Sequence, residues 1–245
     1  MQKKALKKIG IIGAMEIEVE LLKKKLKSEV KGGEISVLER AGLTYFEGIL
    51  EGIPVVIVKS GIGKVNAALC AQRLILEFGV THVINTGIAG AMASGLEVLD
   101  FVVSKDALYH DMDARDFGYK ITEIPQMKCS DFKAGKKLID AATMAFAEMK
   151  SASGHKLFVG RIASGDQFIS SKETKALIKK NCKPACVEME GAAIAHACYV
   201  NKIPFVIIRC MSDMADESGE KTYSFNEEKA AGMSAKLVQG MLSYI

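Results

Sequence analysis

Six short apolar, β-prone runs recur along the chain: Ile9 to Ile12, Val55 to Lys59, His82 to Asn85, Phe101 to Ser104, Leu157 to Ala163 and Pro204 to Cys210. Between them lie stretches of helical pattern near 17–27, 63–78, 134–150, 172–181, 190–201 and 226–243. This alternation constrains the chain more than any other feature. Strand-length runs that are apolar at successive positions must be covered on both faces, and the intervening helices are the available cover. The pattern predicts an α/β protein: a three-layer fold with a mixed, largely parallel central sheet flanked by helices. Residues 34–39 and 44–51 read as an antiparallel hairpin added to that sheet. Residues 110–130 read as a long irregular excursion, of the kind that often carries function in a compact domain. No linker-like stretch divides the chain, so one domain over 1–245 is expected.

Composition removes several function classes. With 245 residues, 49% of them hydrophobic and 25% charged, the chain can bury a sizeable core without disulfides or metal staples. Its longest aliphatic runs, such as Val55-Val56-Ile57-Val58, are far short of a membrane span. The first residues are basic, but the apolar stretch that follows is broken by glycine and runs into Glu16, Glu18 and Glu20, unlike a secretory signal; a cytoplasmic protein is expected. Six cysteines without a CxxC read as reduced, mostly buried thiols. Cys182 and Cys186 lack a second ligand pair at zinc-like spacing, so no metal is expected. The net charge of +4 is concentrated in residues 1–31, which hold nine Lys and four Glu, and these lysines have no aromatics nearby. That is a solvated face and not a nucleic-acid groove.

The informative residues follow the strands: GAMEIE (13–18), SGIGK (60–64), NTGIAGA (85–91), SGDQFI (164–169), VEMEG (187–191) and RCMSD (209–213). In open α/β sheets the ligand crevice lies beyond the carboxyl ends of the strands, so these segments are expected to converge on one pocket. Each taken singly is also a plausible connecting turn. SGIGKV is neither a P-loop nor a dinucleotide fingerprint, and no GxSxG elbow is present.

Two acids stand on the wrong side of their helices. At 100° per residue, Leu21, Leu22 and Leu26 fall on the side of Glu18, while Glu16 and Glu20 face away. The same wheel drawn from Glu190 surrounds it with Ala193, Ile194, Ala197 and Cys198 and turns His196 and Tyr199 outward. Inward carboxylates need partners or altered proton affinity, which suggests a site; helix N-terminal acids favoured by the macrodipole are the alternative. Asp213 sits at the same rim, as a site residue or as a turn cap. Three carboxylates with Arg209 would suit bond cleavage through a cationic, oxocarbenium-like state, one acid protonating the leaving group and another activating water.

GIIGAMEIEVELL, KSGIGKVNAAL, NTGIAGA, YHDMDARDFGY, SGDQFI, VEMEGAAIAH and FVIIRCMSDMAD, in this order and spacing, resemble the 5′-methylthioadenosine/S-adenosylhomocysteine nucleosidases of the nucleoside phosphorylase superfamily. The resemblance covers essentially everything after residue 8. It implies a nucleoside phosphorylase-like fold, a homodimer without cofactor or metal, and hydrolysis of the N-glycosidic bond of an adenine nucleoside. Carried over by residue, it implies that Glu18 is the base for the attacking water, that Asp213 protonates adenine N7, and that Glu190 bonds the ribose hydroxyls. Met189 would pack on the sugar and Phe168 stack on adenine, whose edge the Ile169 backbone would read. Ser212 and Arg209 would order Asp213 and the ribose side. Met15 and Phe225 would line the 5′ pocket, with Ile62, Phe117 and Pro125 arriving from the partner subunit. Without the resemblance, Phe168, Met189 and Ile62 read as core residues. Ile88 stands where many relatives carry Ser or Thr before Ala-Gly, so a side-chain hydroxyl is lost there.

Three alternatives remain at this level. A phosphorylase of the same fold needs cations for phosphate, which Glu18 opposes. A hydrolase of futalosine-type nucleosides is poorly separated from the first reading, and a silent nucleoside-binding protein would require lost carboxylates. The apolar set proposed for the 5′ end suits a thioether and disfavours a 5′-phosphate.

Overall fold

The computed structural model describes residues 7–30, 32–216 and 219–245, with side chains throughout these except at 219–225. The strands are β1 (Ile9–Gly13), β2 (Ser36–Arg40), β3 (Leu43–Leu50), β4 (Ile53–Lys59), β5 (His82–Ala91), β6 (Phe101–Tyr109), β7 (Phe132–Lys133), β8 (Leu157–Ser164), β9 (Cys186–Glu188) and β10 (Phe205–Asp213). The helices are α1 (Glu16–Lys25), α2 (Lys64–Phe78), α3 (Lys136–Glu148), α4 (Lys172–Cys182), α5 (Gly191–Asn201) and α6 (Gly219–Met241). The strands form one sheet in the order β10-β6-β8-β9-β5-β1-β4-β3-β2, with β7 paired to β6.

Pairing is parallel from β4 through β1 and β5 to β10 and from β6 through β8 to β9, and antiparallel in the β2–β3–β4 meander and where β9 meets β5. Because β10 bonds both β5 and β6, and β9 bonds both β5 and β8, one half of the sheet curls back on β5. The ends of β5, β8, β9 and β10 are thereby drawn to one place.

Successive residues of the central strands feed opposite cores. Ile9 and Ile11 of β1, with Val55 and Ile57 of β4, pack in the layer that holds Leu22, Leu138, Ala141, Leu237 and Val238 of α1, α3 and α6. Ile12, Val56 and Val58 pack instead with Ala67, Cys70, Leu74, Ile194 and Cys198 of α2 and α5. This two-sided burial is why the strands read as continuous apolar runs. Among the described residues no helix is long and apolar enough to cross a membrane.

Several boundaries depart from the sequence reading. The segment expected as a turn after His82–Asn85 continues as strand to Ala91, because Gly87 and Gly90 pair with Arg209 and Asp213 of β10. Short β9 pairs on both sides and was not anticipated. The excursion over 110–130 is irregular apart from one 3₁₀ turn at Arg115–Phe117. The six cysteines are free, five of them buried and Cys129 partly so.

Candidate active site

Glu18 is the first acid the fold turns inward. Met15, the residue before α1, has no side-chain oxygen to cap the helix, and the carboxylate of Glu18 three positions on does the work instead. Its Oε2 accepts from the backbone N–H groups of Ala14 (2.6 Å) and Met15 (3.0 Å), and its Oε1 from that of Ile88 on β5 (3.1 Å). The side chain approaches β5 at Gly87, where a Cβ would overlap Glu18 Oε1 and lie 2.8 Å from Arg209 Nη1. Glycine is required there by close approach and not by backbone strain.

Arg209 is the largest fully buried side chain of the chain's described residues, 1% exposed. Its Nη2 donates to Asn85 Oδ1 at 2.6 Å and to the carboxylate of Glu188, and stands 3.9 Å from Glu190 Oε2. Glu188 also accepts from the Ser164 hydroxyl and from the backbone N–H groups of Glu190 (3.1 Å) and Gly191 (2.7 Å). Glu190 holds the N-cap position of α5 without a side-chain cap bond, and its Oε1 accepts instead from the N–H of Gly63 at 2.8 Å. The wheel drawn through Glu190 thus reached the right burial by an argument that does not apply to a cap residue; what buries Glu190 is the Gly63 turn and the Arg209 cluster.

Asp213 closes the opposite side. Its Oδ2 accepts from the Ser212 hydroxyl (2.8 Å) and its Oδ1 from the N–H of Ala215 (2.7 Å), while Gly90 leaves room for it: a Cβ there would lie 2.8 Å from Oδ1.

Burial is the largest influence on each acid. It raises the Glu18 carboxyl above the ordinary glutamate range, with Arg209 and the three N–H donors pulling back. Burial, then the neighbouring Glu188, pushes Glu190 up to about 7 against Arg209 and the Gly63 amide. Burial also raises Asp213, opposed by the Ala215 and Ser212 hydrogen bonds. Arg209 would be lowered by burial, but Glu188, Glu18 and Glu190 outweigh that and hold it charged.

These groups border a cavity of about 630 Å³, the size of a small-molecule site. Glu18, Glu188, Glu190 and Asp213 supply its acids, and Ala14, Met15, Ile62, Ile88, Phe168, Ile169, Val187 and Met189 its apolar walls. Phe168 is half-exposed at the mouth, whereas Ile169 is buried. Ser212 lines the cavity and Arg209 lies behind it.

Ile62 lines the cavity within its own chain, because the Gly63 bond to Glu190 draws its turn over the site. Phe117 and Pro125 stand outside this cavity, Phe117 being 85% exposed. The side chain of Phe225 lies outside the described residues. Glu188 was missed; the signal available was a pair of acids two apart around Met189 at a strand end.

The chain belongs to the phosphorylase superfamily: the family model described as "Phosphorylase superfamily" matches residues 8–243, a span that takes in every strand and helix bordering this cavity. Within the superfamily, the 5′-methylthioadenosine/S-adenosylhomocysteine nucleosidase of Staphylococcus aureus (strain JH9) is 43% identical over 238 residues, covering 97% of this chain and 100% of that protein. The crystal structure of such a nucleosidase from Colwellia psychrerythraea 34H in complex with adenine superposes with a TM-score of 0.90 at 42% identity, over 98% of this chain and 96% of that one. Futalosine hydrolase of Helicobacter pylori strain 26695 matches with a TM-score of 0.89 at 31% identity, over 99% and 100% of the two chains.

Proposed function

We propose that this protein hydrolyses the N-glycosidic bond of 5′-methylthioadenosine and S-adenosylhomocysteine, releasing adenine and the 5-thio-substituted ribose. One observation carries the choice of hydrolysis over phosphorolysis. Among the described residues no Lys or Arg lines the cavity, and the guanidinium behind it is engaged by Glu188 and Asn85. A phosphate dianion would meet carboxylates, whereas water meets a base.

In this reading Asp213, whose proton affinity burial raises, gives a proton to adenine N7 as the C1′–N9 electron pair leaves with the base. Adenine departs neutral, and the sugar passes through an oxocarbenium-like state beside Glu18, Glu188 and Glu190. The water oxygen bonds to C1′ and its proton goes to Glu18, so one proton is spent and one regained. Glu190 accepts from the ribose hydroxyls with Arg209 fixing the cluster, Met189 packs on the sugar, and Phe168 and Ile169 hold the base with Ser212 orienting the acid. Met15 and Ile62 take the 5′ thioether. No group in this scheme calls for a metal or cofactor.

The exposed Phe117, with Pro125, supports a homodimer in which this excursion completes the neighbour's 5′ pocket. We read the chain as a single cytoplasmic domain. The futalosine reading rests on a less identical relative and on no residue of the cavity.

The test is product analysis: methylthioadenosine incubated with and without phosphate should give adenine and free methylthioribose at the same rate. A sugar 1-phosphate as main product, or turnover of futalosine but not of methylthioadenosine, would overturn the proposal.

A further inference from the structure

Asp213 is approached from an element that none of the motifs includes. Helix α4 starts two residues after the cavity-lining segment 167–170, capped by the Ser171 hydroxyl on the Thr174 N–H. One turn in, the part-buried Lys175 crosses to the β10–α6 connection, where its ammonium group donates to the backbone carbonyl of Met214, the residue after Asp213. One side chain therefore ties the wall that carries Phe168 to the wall that carries the acid.

The charges around the carboxyl come from several elements. Lys175 acts on it from α4 and Asp216 from the connection after β10, in opposite senses. Cys186 approaches from β9, a thiol that burial pushes up and keeps neutral. β5 contributes the uncharged Gly90. Lys179, a turn further along α4, acts on Lys175 in turn.

We propose that Lys175 is a positioning residue for Asp213: by holding the Met214 carbonyl it fixes the carboxyl against the base end of the cavity, and its charge stabilises the carboxylate left when the proton departs. The inference rests on reading Asp213 as the proton donor. Burial alone makes a poor donor, because the low-dielectric surroundings that raise the proton affinity of Asp213 also penalise the anion formed by giving the proton up. Backbone and hydroxyl donors offset part of that penalty, and a nearby cation offsets more of it.

The experiment compares Lys175→Met, Lys175→Arg and Asp213→Asn for kcat, for the pH dependence of kcat/KM with methylthioadenosine, and for melting temperature. Without the cation Asp213 holds its proton more tightly. The alkaline limb of kcat/KM should then move to higher pH, while the plateau kcat falls roughly tenfold, part of a general acid's usual contribution. Lys175→Arg should restore both. A limb that moves up while the plateau goes down is a signature that simple loosening of α4 does not produce. Wild-type values in Lys175→Met, or a lowered kcat with an unmoved limb, would overturn the inference. Should Lys175→Met not accumulate as folded protein, Lys175→Gln is read in the same way. If Asp213→Asn is nearly inactive and the Lys175 variants are normal, only the Lys175 inference falls. If Asp213→Asn keeps near-normal kcat, the reading of Asp213 falls first.

Discussion

Replacing Arg209 by leucine removes the cation on which three buried carboxylates depend. Arg209 is 1% exposed and bonds Glu188 and Asn85, with Glu190 at 3.9 Å. Leucine would fill part of the volume but would leave Asn85 Oδ1 without that donor and the acids without a counter-charge. Removing one partner of a buried ion pair costs about 3–5 kcal/mol. At about 2–4 °C per kcal/mol for a chain of this size, that corresponds to a drop of roughly 6–20 °C in melting temperature. The deficit should depend on pH, and its sign follows from proton affinity. Arg209 holds Glu18 and Glu190 down against burial, so without it both carboxyls rise further above their unfolded values. Groups raised in this way contribute stability that is present at low pH and lost as pH rises through the folded value. Wild type and variant lose this stability in parallel until Glu190 ionises near 7 in the wild type, so the difference between them opens from about pH 7 upward. Thermal melts of wild type and Arg209→Leu at several pH values should show a gap that widens as pH rises above about 7. A deficit below about 2 °C, or one larger in acid than in alkali, would refute the view that Arg209 is the counter-charge of this cluster.

Asp213→Asn should lower kcat by roughly a hundredfold or more, the scale of general acid catalysis, while melting temperature and nucleoside-inhibitor affinity stay near wild type; near-normal turnover in calorimetrically folded protein would remove it from the mechanism. Gly87→Ala should displace the Glu18 carboxylate, since the new Cβ overlaps its Oε1 and lies 2.8 Å from Arg209 Nη1. Its activity should fall well below that of Gly232→Ala, where a Cβ meets nothing within 4 Å, and equal kcat in the two variants would contradict the close-approach argument.

Much of this protein is written in local periodicity. Apolar runs at 9–12 and 55–59 had to be doubly covered strands, and the first turn after β1 had to carry Glu18 inward, because strand and helix geometry repeat over a few residues and need no knowledge of what lies opposite. The order and spacing of the motifs also carried the family. What the chain did not disclose depends on residues far apart in sequence. Arg209 meets Asn85 across 124 positions, and Ile88 meets Glu18 across 70. β5 extends through a glycine-rich stretch that looks like a turn because β10 and β9 arrive to pair with it. Glu188 reads as one acid among several until Ser164 and Arg209 close on it, and Ile62 belongs to its own cavity only because the Gly63 amide reaches Glu190. Local propensity sets which face a side chain presents, but hydrogen-bond partners and charge neutralisation at a buried site are decided by three-dimensional proximity alone.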